Sequence, residues 1–143
     1  MKRHAALHSL SHDHQHALAR ALRLRRVREA GEDARRAERA SFVEFATTQL
    51  APHFEQEELL MERATLLLPQ STELQAARAR MVAEHAAFRA EFTTLARDGG
   101  VPIGDELFAL GEQLTGHIRF EERELFELLQ REFGDQLAGL VDA

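Results

Sequence analysis

The sequence predicts an all-α protein, an up-down-up-down four-helix bundle, on three observations. It is rich in Ala, Leu, Glu and Arg, which favour helix, and has no Trp, Tyr or Cys. Gly and Pro mark three short connections between long segments of helical periodicity. No segment alternates apolar and polar residues as a half-buried strand would. Short loops between long helices make consecutive helices antiparallel neighbours.

The elements follow in order. Residues 1–10 read as an N-terminal arm. A first helix spans about 11–30, with Ser9 or Ser11 as its cap and Gly31 just past its end. Asp13 falls in its first turn, where the helix dipole favours an acid. A second helix spans about 33–68 and stops before Pro69. Pro52 lies inside it, so a kink or a lost hydrogen bond is expected there. Ser71 and Thr72 open a third helix that ends near Arg97, before "DGGVPIG". The fourth runs from about Asp105 to Phe133 and closes at Gly134. At 143 residues the whole chain, 1–143, reads as one domain.

Composition narrows the function. The net charge of −6 gives no reason to expect nucleic acid, and the arginines at 20, 23, 25, 26 and 28 read as a solvated helix face. Without cysteine there is no disulfide, thiolate zinc site, iron–sulfur cluster or thiol nucleophile. The start "MKRHAALHSLSHDHQ" has no apolar leader, and no stretch is a membrane span. The expectation is a cytoplasmic protein that uses neither membrane nor nucleic acid.

Histidine carries the chemistry. Five of the eight, His4, His8, His12, His14 and His16, crowd the start of the chain. At about 100° per residue, Leu7, Leu10, Ala17, Leu18 and Ala21 fall within roughly 60° of His14, whereas His12 and His16 point about 160° away. Only His14 of the five is therefore expected to face the interior. The same test groups His53 with Phe42, Ala46, Glu57 and Leu60. It groups His85 with Leu74, Met81, Phe88, Arg89 and Phe92. It groups His117 with Leu110, Leu114, Phe120, Glu121, Glu124 and Leu128. Measured along each helix from the connecting loops, the four histidines match in height to within about a turn. They are expected at one level of the core.

Four imidazoles and two carboxylates in an apolar interior are too costly to leave unpaired, and a bound cation resolves that cost. Imidazole nitrogen with carboxylate oxygen suits iron, manganese or zinc. "HFEQE" (His53, Glu57) and "HIRFE" (His117, Glu121) are both H-x-x-x-E, which puts two donors side by side on one helix face. The chain also reads as a loose internal duplication, a lone histidine followed by H-x-x-x-E-E: His14 with "HFEQEELL", then His85 with "HIRFEEREL".

In "LSHDHQHAL", "HFEQEE", "AEHAAFR" and "HIRFEE", taken in order, the chain resembles the hemerythrin-like (HHE cation-binding) family over nearly its full length. The resemblance implies a non-haem diiron centre bridged by carboxylates and, in oxygen-carrying members, reversible binding of dioxygen. Carried over by position, it implies His14, His53, Glu57, His85, His117 and Glu121 as metal ligands, with no separate catalytic residue. A mononuclear iron or another divalent metal would fit the same donors. The expected partner is a small molecule such as dioxygen, nitric oxide or peroxide.

Two departures bear on activity. Oxygen carriers have a second third-helix histidine four residues after the first, where this chain has Arg89. They also place the fourth-helix carboxylate five residues after its histidine, at Glu122. Angle favours Glu121, at about 40° from His117, over Glu122 at about 140°. Arg89 reads equally as a snorkelling side chain or as an inward one that needs a neutralising acid, with Glu124 as the candidate, while Glu58 and Glu122 read as solvated. A positive charge by the metal would suit an enzyme that turns over peroxide or nitric oxide, or oxidises ferrous iron. A metal-stabilised interaction module is the further alternative. The surface "HDHQH" resembles a zinc-protease box but lacks a third ligand, and the outer histidines read as a polar surface. The E-x-x-H pairs of ferritin-like diiron proteins do not occur.

Overall fold

The computed structural model describes residues 2–142, and among these there is no strand. Four long helices form a bundle. We label them α1 (His8–Arg26), α2 (residues 32–67), α3 (Thr72–Arg97) and α4 (residues 104–133), with a short α5 (Leu137–Asp142) behind them. Two of the long helices contain a wide turn. In α2, Ala46–Leu50 is a π-helical turn between Glu32–Phe45 and Ala51–Leu67; in α4, Glu121–Leu125 separates Gly104–Phe120 from Phe126–Phe133.

The wide turn in α2 answers the expectation at Pro52. Proline has no N–H to return to the preceding turn and its ring crowds that turn. The chain adds a residue instead of bending: the Ala51 N–H reaches the Ala46 carbonyl, five residues back. Thr47 and Thr48 donate their hydroxyls to the carbonyls of Val43 and Glu44 at 2.9 and 2.8 Å, supplying partners near the irregular turn. The turn in α4 shifts the inward phase beyond Glu121. Leu125 becomes fully buried, and Glu124, expected inward, is exposed.

The ends of the elements differ from the sequence reading in three places. The N-terminal arm is ordered earlier than expected. Ala5–Leu7 is a 3-10 turn capped by His4, whose Nδ1 accepts from the Ala6 N–H at 3.0 Å, and α1 already begins at His8. Burial of Leu7 and Leu10 pulls the start forward, and Arg3 ties it to α4 through the Glu122 carbonyl at 2.7 Å. Neither Ser9 nor Ser11 caps α1. At the other end α1 stops at Arg26, before the expected 30. Beyond Gly134, which closes α4 at a φ of 52°, the unexpected α5 buries Leu137 and Leu140 against Leu7 and Met61. Ser71 caps α3 as expected, accepting from the Leu74 N–H at 3.2 Å.

The core falls into two apolar clusters, one with Leu10, Leu60, Met81 and Phe126, the other with Ala17, Phe54, Phe88 and Leu114. Helices α1 and α4 lie close together. A Cβ at Gly111 would stand 2.6 Å from the Ala21 carbonyl oxygen, and one at Gly104 would overlap the Arg28 carbonyl. The arginines of α1 and of the turn after it reach its neighbours: Arg20 donates to Ser41, Arg23 pairs with Glu38 and, past the helix end, Arg28 pairs with Asp105.

Candidate metal centre

The boundary between the two clusters is polar. His14, His53, His85 and His117, one from each long helix, are at most 3% exposed, and so are Glu57 and Glu121. All six side chains meet there. His14 Nε2 lies 3.1 Å from Glu57 and 3.1 Å from Glu121; His85 Nε2 lies 3.3 Å from each. His53 Nε2 is 3.1 Å from Glu57 and His117 Nε2 is 3.1 Å from Glu121. The i,i+4 spacing of both H-x-x-x-E pairs delivers the two side chains to one centre, as helix geometry requires. Of the two acids after His117, Glu121 enters the cluster and Glu122 does not. His12 and His16 are exposed, their Nε2 atoms 3.2 Å apart on the outer face of α1, while His8 opens that helix and bonds the Arg3 carbonyl.

Behind each imidazole stands a second carboxylate, and these four acids form a ring that the sequence reading missed. The Nδ1–H of His53 donates to Asp13 of α1 at 3.0 Å. His85 donates to Glu58 of α2, His117 to Glu84 of α3 and His14 to Glu122 of α4, each at 2.7 Å. Every helix thus carries one histidine and holds the histidine of the next. Such contacts fix the tautomer, leaving Nε2 for the centre, and orient the ring. Glu58 and Glu122, read from sequence as solvated, are corrected to this role: both are partly buried because their partners are buried. The signal was present in the duplication. An acid directly precedes each lone histidine (Asp13, Glu84) and another follows each H-x-x-x-E (Glu58, Glu122).

Of the two readings of Arg89, the snorkelling one holds, and its acid is Glu58 in place of Glu124. Its side chain is 41% exposed and its guanidinium pairs with Glu58 at 2.8 Å, turned away from the cluster. Arg80 similarly holds Glu84 at 2.8 Å, and Arg3 lies 3.4 Å from Glu122. Glu124 is exposed and lies 3.5 Å from Arg80. Phe54 stacks on His85 with centroids 4.0 Å apart, Phe126 stacks on His14 at 5.3 Å, and Phe88 meets His117 edge-on at 5.3 Å. These rings make the walls dry.

In the metal-free protein, protons take the place of a cation. Burial alone would lower the pKa of His14, but the close carboxylates of Glu121, Glu122 and Glu57 outweigh it and push the value up to about 11. For His85 burial is likewise overcome by Glu121 and Glu57, to about 9, and His53 is raised in the same way by Glu57. Burial would raise the two central carboxylates; their imidazole partners instead hold Glu57 well below and Glu121 below the usual range. Even so the set is not satisfied. His53 Nε2 and Glu57 Oε1, and His117 Nε2 and Glu121 Oε1, are buried and only 3.1 Å apart within each pair, but their alignment is not that of a hydrogen bond. Four buried donors of metal-ligating type, close together and without a well-formed hydrogen bond, fit a cation better than protons alone. They group as His14, His53, Glu57 and Glu121, and as His85, His117, Glu57 and Glu121, each set having its ligating atoms within 4.8 Å of one another.

The fold and the cluster define a helical bundle compatible with binding metal between its helices. The chain belongs to the hemerythrin HHE cation binding domain family, whose model it matches over residues 5–129. Comparison with curated proteins and with solved structures gave no significant match.

Proposed function

We propose that this is a hemerythrin-like protein that holds non-haem iron at His14, His53, Glu57, His85, His117 and Glu121, and that binds or senses dioxygen or a related small molecule. The observation that carries the reading is the pair of overlapping donor sets. Each has two imidazoles of its own and both share Glu57 and Glu121, the arrangement expected of two metals joined by carboxylates. The matched heights of the four histidines also support an up-down-up-down course for the helices.

Iron there would supply electrons to a small ligand. The protein's own part is to aim the Nε2 atoms of four imidazoles at the centre through the acid ring, to share two carboxylates, and to wall the site with Phe54, Phe88 and Phe126. The motive for the enzymatic alternative was a positive charge beside the metal. Arg89 faces Glu58 instead, so no feature of this centre favours turnover over binding.

Metal analysis of protein purified from its native host tests the reading. Close to two irons per chain supports it, and close to one reduces it to a mononuclear variant. Anaerobic iron loading followed by air should produce a new visible absorption band. A colourless holoprotein indifferent to air removes the dioxygen claim.

A further inference from the structure

The duplication supplies an internal control for how the centre communicates with solvent. The correspondence that sets His14 against His85 and His53 against His117 also pairs the flanking positions. Two residues after the lone histidine stand His16 in the first half and Ala87 in the second. One residue before the H-x-x-x-E histidine stand Pro52 and Gly116. The second half therefore has the smaller side chain at both places. There the bundle wall is open: a cavity of about 470 Å³ lies between α3 and α4, lined by Ala87, Gly116 and Phe88, with the nearly buried His117 in its wall. A Cβ at Gly116 would meet nothing within 4 Å, so the space beside it is free.

We infer that this cavity is the port by which small uncharged molecules reach the centre, and that they arrive on the side held by His85 and His117. The lining surface is chiefly apolar; the charges of Arg80 and Glu84 neutralise one another at 2.8 Å, and Glu91 at the rim adds an acid that disfavours anions. That chemistry suits uncharged dioxygen or nitric oxide and excludes anions. Phe88, 5% exposed and in edge contact with His117, is the gate between the cavity and the centre. The two metal positions are alike in ligands and unlike in access.

The inference rests on the small-ligand reading above, so its test has an arm that needs no iron. In zinc-loaded protein, dissolved dioxygen is used as a paramagnetic probe. It should enhance relaxation of the Ala87 methyl more than that of the exposed Ala90 on the same helix, and Gly116→Leu should abolish the difference. In iron-loaded protein, Gly116→Leu or Ala87→Leu should slow association of nitric oxide by about tenfold or more. Metal content should be unchanged, and Gly139→Leu, also at an unobstructed glycine, should not alter the rate. Equal Ala87 and Ala90 relaxation, or association unchanged in both groove variants, overturns the port. Iron-loaded wild type that binds no nitric oxide defeats the small-ligand reading instead, and the dioxygen relaxation then decides the port alone.

Discussion

Removing Glu58 gives the sharpest test of the acid ring, because sequence reasoning took this residue for a solvated one. Its carboxylate accepts from His85 Nδ1 at 2.7 Å, a charge-assisted distance, while Arg89 holds it from the other side at 2.8 Å. Losing such a partner behind a metal-bound imidazole costs about 10–100-fold in metal affinity. At about 1.4 kcal/mol per tenfold that is about 1.4–2.7 kcal/mol. Glu58 is 30% exposed, which brings Glu58→Ala toward the tenfold end. Glu58→Gln keeps an oxygen acceptor without the charge, and since neutral bonds are about half as strong, it should lose about threefold to tenfold. Competition for Zn(II) or Co(II) against a chromophoric chelator measures both. Glu55→Ala, an exposed acid on the same helix, is the control. Glu122→Ala should reproduce the Glu58→Ala loss, because its bond to His14 is also 2.7 Å. Affinity of Glu58→Ala within about twofold of both wild type and Glu55→Ala would refute the ring as a metal-supporting device.

Other outcomes follow from the same geometry. His53→Ala or His117→Ala should lower tightly bound metal per chain, measured by elemental analysis, whereas His12→Ala with His16→Ala should leave it unchanged. The metal-free protein should melt at lower temperature as pH rises from 6.5 through 9 and beyond. Histidines raised to about 11 (His14) and about 9 (His85) stabilise the fold fully only below the ordinary histidine pKa, and lose that contribution as pH passes the folded values. Glu57 and Glu121 act in the opposite window, their contribution fading as pH falls below the ordinary carboxylate range. Metal affinity should rise over the interval in which metal-free stability falls, since binding displaces the histidine protons; a pH-independent chelator competition would contradict this. Gly111→Leu should destabilise by about 1–3 kcal/mol, because its Cβ would press on the α1 backbone. Thermal unfolding should register that as a fall of roughly 3–10 °C.

The helices and the six central side chains were legible because both obey a local rule. Capping residues and breakers punctuate the chain, and rotation of about 100° per residue sorts inward from outward side chains. That rule failed where the helix itself departed from it. At Glu124 the wide turn of α4 had already advanced the phase, and periodicity measured from His117 pointed to the wrong residue. It was silent on Asp13, Glu58, Glu84 and Glu122, which lie off the apolar stripe. Each meets its histidine on an adjacent helix, and only the packing of two helices brings them together. Periodicity left Arg89 open between snorkelling and facing inward, because a long side chain on the border of a stripe goes where its nearest opposite charge lies. The C-terminal α5 left little trace, since six residues carry less than two helical turns of pattern.

The ring has a consequence for assembly. Within each helical hairpin one link is made internally, Asp13 to His53 in the first and Glu84 to His117 in the second. The other two, Glu58 to His85 and Glu122 to His14, cross between hairpins. Neither half can finish its own coordination sphere, yet each presents what its counterpart lacks. The molecule has the logic of a two-subunit assembly fused by the loop at 68–71. A peptide comprising one hairpin would be expected to pair with a second copy of itself around captured cations.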